Sequence, residues 1–346
     1  MLGTVFAILI ILFFGGTIIS IVGLILNSIR DKKIEQRNRK LEDAIKRKDK
    51  QTIENILNKN LFNNLHIDTA VEIGDTEIVS LLLTKVSDLK SIGSKLLVIA
   101  VKNNDKEMIS LLIQNGANVN LKYDDKTPLD CAKNEEMITL LRNHGAKTKK
   151  ELDEEAEEAF LASEIFYNAQ DYKKTVECLE KAVSLGHIGA HNDLAIHYIR
   201  GLGVEEDWNK VYELCKVAAK AGSANSQVNL GNCYSWGKGT YQSDSEAIYW
   251  WEKAAEQGNT TAMYNIGNHY YTERDAVNAK IWLEKAAELG EVKAMFYLGE
   301  CYRYLLFSAS EAGKWYEKAA RNGHVEALVK LKELCGMGLY NVGDDY

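Results

Sequence analysis

The chain has 346 residues, enough for two or three domains, and its 46% hydrophobic and 26% charged side chains suit a folded body. A net charge of −7 argues against a nucleic-acid partner, because a phosphate backbone recruits clustered Lys and Arg. Pro128 is the one proline in the sequence, and a chain so poor in helix breakers points to an all-α protein.

Residues 2–29 carry no charged side chain. About 20 apolar residues span a bilayer core, so this run predicts a transmembrane helix. A cleaved signal peptide is the competing reading, and it would need a basic n-region and a shorter apolar run. The flank from 30 to 50 holds ten basic residues against five acidic ones, and residues 30–39 read as a basic juxtamembrane segment. By the positive-inside rule the expectation is a single-pass protein with its N-terminus outside and everything after Ile29 cytoplasmic. Gly16, Ser20 and Gly23 either form a helix-pairing stripe or reflect the ordinary frequency of glycine in membrane helices. The six cysteines are widely spaced and form no CxxC pair, so they read as free thiols of a reducing compartment.

From 40 to 148 a helix-pair pattern recurs every 26 to 32 residues. Its copies run from Ala44-Ile45 to Ile56-Leu57, from Ala70-Val71 to Leu81-Leu82-Leu83, from Ala100-Val101 to Leu111-Leu112-Ile113, and from Cys131-Ala132 to Leu140-Leu141. The third copy ends in Gly116-Ala117-Asn118-Val119-Asn120, and the fourth opens with Thr127-Pro128-Leu129-Asp130 and ends in Gly145-Ala146. This pattern resembles the ankyrin repeat, in about four copies. The first two copies lack the T-P-L-H opening and the usual terminal glycines. The resemblance implies partner contacts at the hairpin tip, which places Tyr123 and Asp124, between Lys122 and Asp125, among the candidate binding residues. Residues 149–155 read as a linker, with acids following at the positive end of the next helix.

From 156 to 346 a second period appears. Leu185-Gly186, Ala221-Gly222, Gln257-Gly258, Leu289-Gly290 and Asn322-Gly323 stand 36, 36, 32 and 33 residues apart. Between them recur Leu230-Gly231-Asn232-Cys233-Tyr234, Ile266-Gly267-Asn268-His269-Tyr270 and Leu298-Gly299-Glu300-Cys301-Tyr302. Later in each unit come Trp250-Trp251-Glu252-Lys253-Ala254-Ala255, Trp282-Leu283-Glu284-Lys285-Ala286-Ala287 and Trp315-Tyr316-Glu317-Lys318-Ala319-Ala320. This pattern resembles the Sel1-like repeat, a relative of the tetratricopeptide repeat, in about five units plus a C-terminal cap. The first unit is looser and the last, Ala327 to Gly338, is half a repeat.

No phosphate loop, G-x-S-x-G or H-E-x-x-H is present. His197, Cys233, His269 and Cys301 share one slot of four successive repeats. Stacked helices lie about 10 Å apart, whereas zinc needs its ligands within about 2.0–2.3 Å, so the column reads as packing. Cys178 and Cys215 read as small core substitutes for repeat aromatics, and His187 and His324 are expected in turns. No cofactor, metal or small-molecule substrate is expected.

The polar candidates are Asp193, Asn229, Asn232, Asn265, Asn268, Tyr297 and Glu300 on the first helices, with Arg200, Trp236 and Tyr304 one turn further on. The Sel1 resemblance implies that first helices line a concave face, where these residues form either a peptide groove or an ordinary solvated face. The expectation is an all-α chain: a transmembrane helix, an ankyrin-repeat solenoid and a Sel1-like α-solenoid that binds a protein partner as a scaffold or adaptor. The alternatives are an immunity or inhibitor protein that neutralises a toxin, and, more remotely, a Sel1-like hydrolase. The cysteine pair per repeat that marks such hydrolases is absent here.

Overall fold

The tightest helix reversals in this chain share one local pattern: a residue in the left-handed region, then a residue whose side chain caps the next helix. The computed structural model describes residues 32, 35–58, 66–86, 89 and 92–341. They form two compact units, one up to Leu152 and one from Asp153.

In the first unit the helices are α1 (residues 35–46), α2 (Lys50–Leu57), α3 (Ile67–Ile73), α4 (Thr76–Leu83), α5 (Gly93–Lys102), α6 (Lys106–Gln114), α7 (Pro128–Cys131) and α8 (Glu135–Asn143). They pair in sequence order. Asp49, Asp75, Asp105 and Asn134 cap the second helix of each pair, accepting from the amides of Thr52, Ile78, Met108 and Met137. Lys48, Gly74 and Asn104 precede three of these caps with φ of 55°, 73° and 54°. Ala70 and Ala100 are fully buried between helices, and Leu82, Leu112 and Leu141 fill the layers beside them. Thr127 closes a reciprocal capping box with Asp130, with Pro128 at the first helical position.

Residues 149–155, expected as a linker, are the opening turns of helix α9 (Lys149–Asn168). Thr148 and Glu151 fix that opening. The Thr148 amide donates to Glu151 at 2.7 Å, and the Glu151 amide donates back to the Thr148 hydroxyl at 3.2 Å. Arg142 holds the same carboxylate with both guanidinium arms, at 2.8 and 3.0 Å. The Arg142 bonds, then those from Thr148, lower the Glu151 pKa from 4.5 to about 2.

The second unit continues with α10 (Tyr172–Ser184), α11 (Ile188–Arg200), α12 (Trp208–Lys220), α13 (Ala224–Trp236), α14 (Asp244–Glu256), α15 (Thr260–Thr272), α16 (Ala276–Glu288), α17 (Val292–Tyr304), α18 (Ala309–Arg321) and α19 (Val325–Gly336). Each helix packs on its neighbour in sequence, and the first helices α15 and α17 also touch each other. Gly186, Gly222, Gly258, Gly290 and Gly323 take φ between 84° and 98° with open space around them. Backbone conformation, not crowding, therefore selects glycine at these five turns. A different constraint acts inside the repeats. A methyl group on Gly231 would collide with the Trp251 indole, one on Gly267 would lie 2.7 Å from Leu283, and one on Gly299 would lie 2.6 Å from Tyr316. The first helix carries glycine there so that the second helix can seat a large side chain against it.

The localisation read from the sequence is corrected. No helix among the described residues is long and apolar enough to cross a membrane. The longest, α9, has 20 residues and opens on Lys149, Lys150, Glu151, Asp153 and Glu154, whose charges a bilayer core would not accept. The expected span, residues 2–29, lies outside the described residues, as do Arg30, Asp31, Lys33 and Ile34 of the basic segment, while residues 35–39 are helical in α1.

Gly267→Ala should destabilise the protein by about 1–3 kcal/mol through overpacking. Gly336→Ala, at a helical glycine with nothing within 4 Å, should be neutral or stabilise by up to about 1 kcal/mol. Denaturant midpoints of the two variants check both signs. The Glu151 carboxyl is depressed in the folded state, so its contribution is present above about 4.5 and is lost as pH falls towards about 2. Unfolding midpoints measured across that window should fall, and Glu151→Gln should flatten the fall.

Candidate functional site

The first helices α11, α13, α15 and α17 are linked side chain to side chain across repeat boundaries. The Asn229 amide donates to Asn192 Oδ1 at 3.3 Å, and the Asn265 amide donates to Asn232 Oδ1 at 3.0 Å. Asn232 Oδ1 also receives the Trp251 indole N–H at 3.2 Å, which is shared with the Val228 carbonyl. Three of the four candidate asparagines thus hold neighbouring repeats together. Asn268 lies half-buried in the next repeat, one position after Gly267.

Further along, the row turns aromatic. The Tyr297 ring lies 5.6 Å from Tyr264 and 5.8 Å from Tyr271. Burial, with Tyr297 beside it, pushes the Tyr264 phenol pKa upward. Glu300 accepts from the buried Tyr316 hydroxyl at 2.6 Å. Burial and this carboxylate raise the Tyr316 phenol pKa, so it stays a neutral donor. Trp236 is 57% exposed at the end of α13. It meets Trp208 edge to face at 5.8 Å, with the Lys238 ammonium over both rings. Tyr304 is exposed at the end of α17 under the Arg303 guanidinium.

Asp193 and Arg200 share a cavity of about 530 Å³ between α9, α10 and α11. Its α9 wall is Ser163, Glu164, Tyr167 and Asn168, and its floor includes Thr175 and His197. The α9 residues escaped the sequence reading because the first repeat lacks the glycine and tryptophan landmarks. A signal was present. The second-helix length and the three-residue loop before it match between α9/α10 and α15/α16. Counting sixteen back from Leu179, as Gly267 stands sixteen before Leu283, puts Ser163 in the glycine slot. Glu164 then falls in the slot of Asn232, Asn268 and Glu300, and Asn168 in that of Arg200, Trp236 and Tyr304.

Tyr123 and Asp124 belong to the first unit. They lie exposed on a two-residue hairpin in which Asp124 and Asp125 have φ of 52° and 60°, closed by mutual backbone bonds of Tyr123 and Lys126. His187 and His324 lie in the turns between helices as expected and also cap α11 and α19, accepting on Nδ1 from the amides of Ala190 and Ala327. In the His/Cys column, burial raises the thiol pKa of Cys233 and Cys301 to about 11. Cys215 is raised by burial as well. Such thiols are poor nucleophiles. Among the described residues no three His, Cys, Asp or Glu side chains are placed to share a metal ion.

Residues 41–151 match the model of ankyrin repeats, and residues 169–187, 188–223, 224–259, 260–291 and 292–324 match that of the Sel1 repeat. The chain is a helical-repeat protein, built from ankyrin repeats followed by five Sel1 repeats. Solved structures with a similar fold include a Sel1 repeat protein from Oxalobacter formigenes, 28% identical, covering 51% of this chain and 73% of that one at a TM-score of 0.46. Another is c5321, a protective antigen of uropathogenic Escherichia coli, 22% identical, covering 78% of this chain and 58% of that one at a TM-score of 0.46. A third is the immunity protein Pa5087 from Pseudomonas aeruginosa, 22% identical, covering 48% and 68% at a TM-score of 0.37. No curated protein sequence matches the chain.

Asn232→Ala should cost about 1–2 kcal/mol, because it strands the Asn265 amide and half of the Trp251 bond. Asn232→Asp keeps the acceptor oxygen and should lose less. Asn268→Ala should stay within about 0.5 kcal/mol of the parent. Thermal or urea unfolding separates the three.

Proposed function

We propose that the chain is a non-catalytic scaffold or adaptor that holds a protein partner on the first-helix face of its Sel1 repeats. Ankyrin and Sel1 repeats are typically interaction modules, which supports the general class. The observation that carries the finer reading is the row running from the Glu164, Asp193 and Arg200 cavity through Asn268 and Trp236 to Tyr297 and Tyr304. It combines charged and amide groups with the exposed rings of Trp236 and Tyr304. A rigid scaffold presenting aromatics and amides loses little entropy on binding.

The reading divides the row by role. Asn229, Asn232 and Asn265 fix the register of the repeats, and Glu300 holds Tyr316. Trp236, Asn268, Arg200, Asp193 and Tyr304 are left to meet the partner. Tyr123 and Asp124 are a separate contact point on the ankyrin unit.

Immobilised full-length protein should capture one dominant partner, identified by mass spectrometry. Trp236→Ala and Asn268→Ala should reduce capture at least tenfold while leaving the unfolding midpoint nearly unchanged. A Tyr123→Ala, Asp124→Ala variant tests the ankyrin tip in parallel. Capture that survives the Trp236 and Asn268 substitutions sinks the groove reading. A partner that proves to be a toxin or enzyme silenced on binding would replace the scaffold with the inhibitor.

A further inference from the structure

We infer that the cavity between α9, α10 and α11 is a receptor for one arginine side chain of the partner. The inference rests on the proposed groove and specifies the chemistry that its first pocket recognises.

The inner wall of the cavity presents acceptors. His197 is 3% exposed and its ring lines the cavity. Its Nδ1 lies 2.7 Å from the Leu202 carbonyl, which can only accept, so Nδ1 carries the proton. In the neutral ring Nε2 is then a bare acceptor, and no protein donor among the described residues is bonded to it. The two buried hydroxyls have already committed their protons. Ser163 donates to the Phe160 carbonyl at 2.6 Å and Thr175 to the Asp171 carbonyl at 3.0 Å. What they turn to the cavity is lone pairs. The carboxylates of Glu164 and Asp193 complete the set from opposite walls. A ligand that suits this lining brings several N–H donors and a positive charge.

Guanidinium meets both needs. It offers five donors in a flat fork and stacks on aromatic faces, whereas an ammonium offers three donors on a point charge. The flat walls are at hand. The ring of Tyr167 stands 5.8 Å from that of His197, and Tyr172 lies behind at 6.1 Å. The wider field favours the same guest. Residues 153–346 hold 30 Asp and Glu against 19 Lys and Arg, while the preceding 152 residues hold 19 against 23. An acidic unit draws a cationic segment towards its grooves.

Arg200 sets a limit on the guest. It is exposed at the rim, two turns along α11 from Asp193. A second basic residue beside the first would meet this guanidinium, whereas an acidic neighbour would pair with it. The pocket therefore suits an isolated arginine and disfavours a polybasic run.

The test uses the full chain and a blocked pentapeptide of glycine and serine with one central arginine. Matched peptides carry citrulline, lysine or glutamate in its place. Binding is followed by the NMR signal of the His197 ring nitrogens, which reports a donor arriving at Nε2. The arginine peptide should bind at least tenfold tighter than the citrulline and glutamate peptides, and tighter than the lysine peptide. Glu164→Gln with Asp193→Asn should weaken it about tenfold at an unchanged unfolding midpoint. Equal affinity for arginine and citrulline, a preference for glutamate, or no shift of the His197 signal with arginine overturns the inference. Partner capture separates this from the groove reading. Capture lost with Trp236→Ala but kept in the double variant leaves the groove standing and removes the arginine pocket. Arginine binding with capture indifferent to Trp236 and Asn268 does the reverse.

Discussion

A pair of adjacent residues, one left-handed and one capping, is the constraint on which both units depend. Lys48–Asp49, Gly74–Asp75 and Asn104–Asp105 form it in the first unit. Gln170–Asp171, Gly222–Ser223, Gly258–Asn259 and Arg274–Asp275 form it in the second. The left-handed residue reverses the chain, and its neighbour's side chain satisfies an amide that the new helix leaves without a partner. With the turn so short, the two helices must lie side by side, and their apolar stripes close on each other. Between Sel1 repeats the left-handed position is always glycine. Within repeats it falls to Gly201 and Gly237 in two units and to Gln170, Arg274 and Phe307 in three others, and these three non-glycine residues each bear a backbone penalty of about 1–2 kcal/mol that the surrounding packing offsets.

The same logic explains what the sequence reveals. Glycines at fixed intervals are visible because no other residue takes φ near 90° cheaply, so the Sel1 repeat borders could be read by eye. The glycine, tryptophan and leucine columns inside the repeats were visible too, since a close approach constrains both partners at once. The capping histidines were not, because Nδ1 imitates an asparagine oxygen only once the ring is turned inward. The first repeat was blurred for a similar reason. Ser163 replaces the glycine and Cys178 the tryptophan, and with both landmarks gone Glu164 and Asn168 had no visible register.

The asparagine row shows how a surface motif can serve two ends. Read along the sequence, Asn229, Asn232 and Asn265 are repeated polar residues on one helix face, and a partner is the natural explanation. Across the repeat boundary they are one another's hydrogen-bond partners. A half-buried amide that bridges two helices is part of the spacing between repeats, and sequence spacing alone does not reveal which side the amide faces. Asp193 and Arg200 lie two turns apart on α11 and line one cavity. Their meaning depended on α9, whose pattern was the faintest in the unit.

The recurring joint has an evolutionary consequence. Each Sel1 repeat begins at a cap and ends at a glycine, so the seam on its left is the same as the seam on its right. A gene that gains or loses one whole repeat by unequal recombination creates no new joint, and the products differ in length but not in how they are fastened. Such an exchange would scramble the side-chain ties across boundaries, such as Asn265 to Asn232 and Tyr264 against Tyr297, since each is matched to a particular neighbour. Paralogues arising this way would inherit the turns intact and need to re-tailor only the side chains that meet across each boundary, which makes the number of repeats the part of this architecture most open to change.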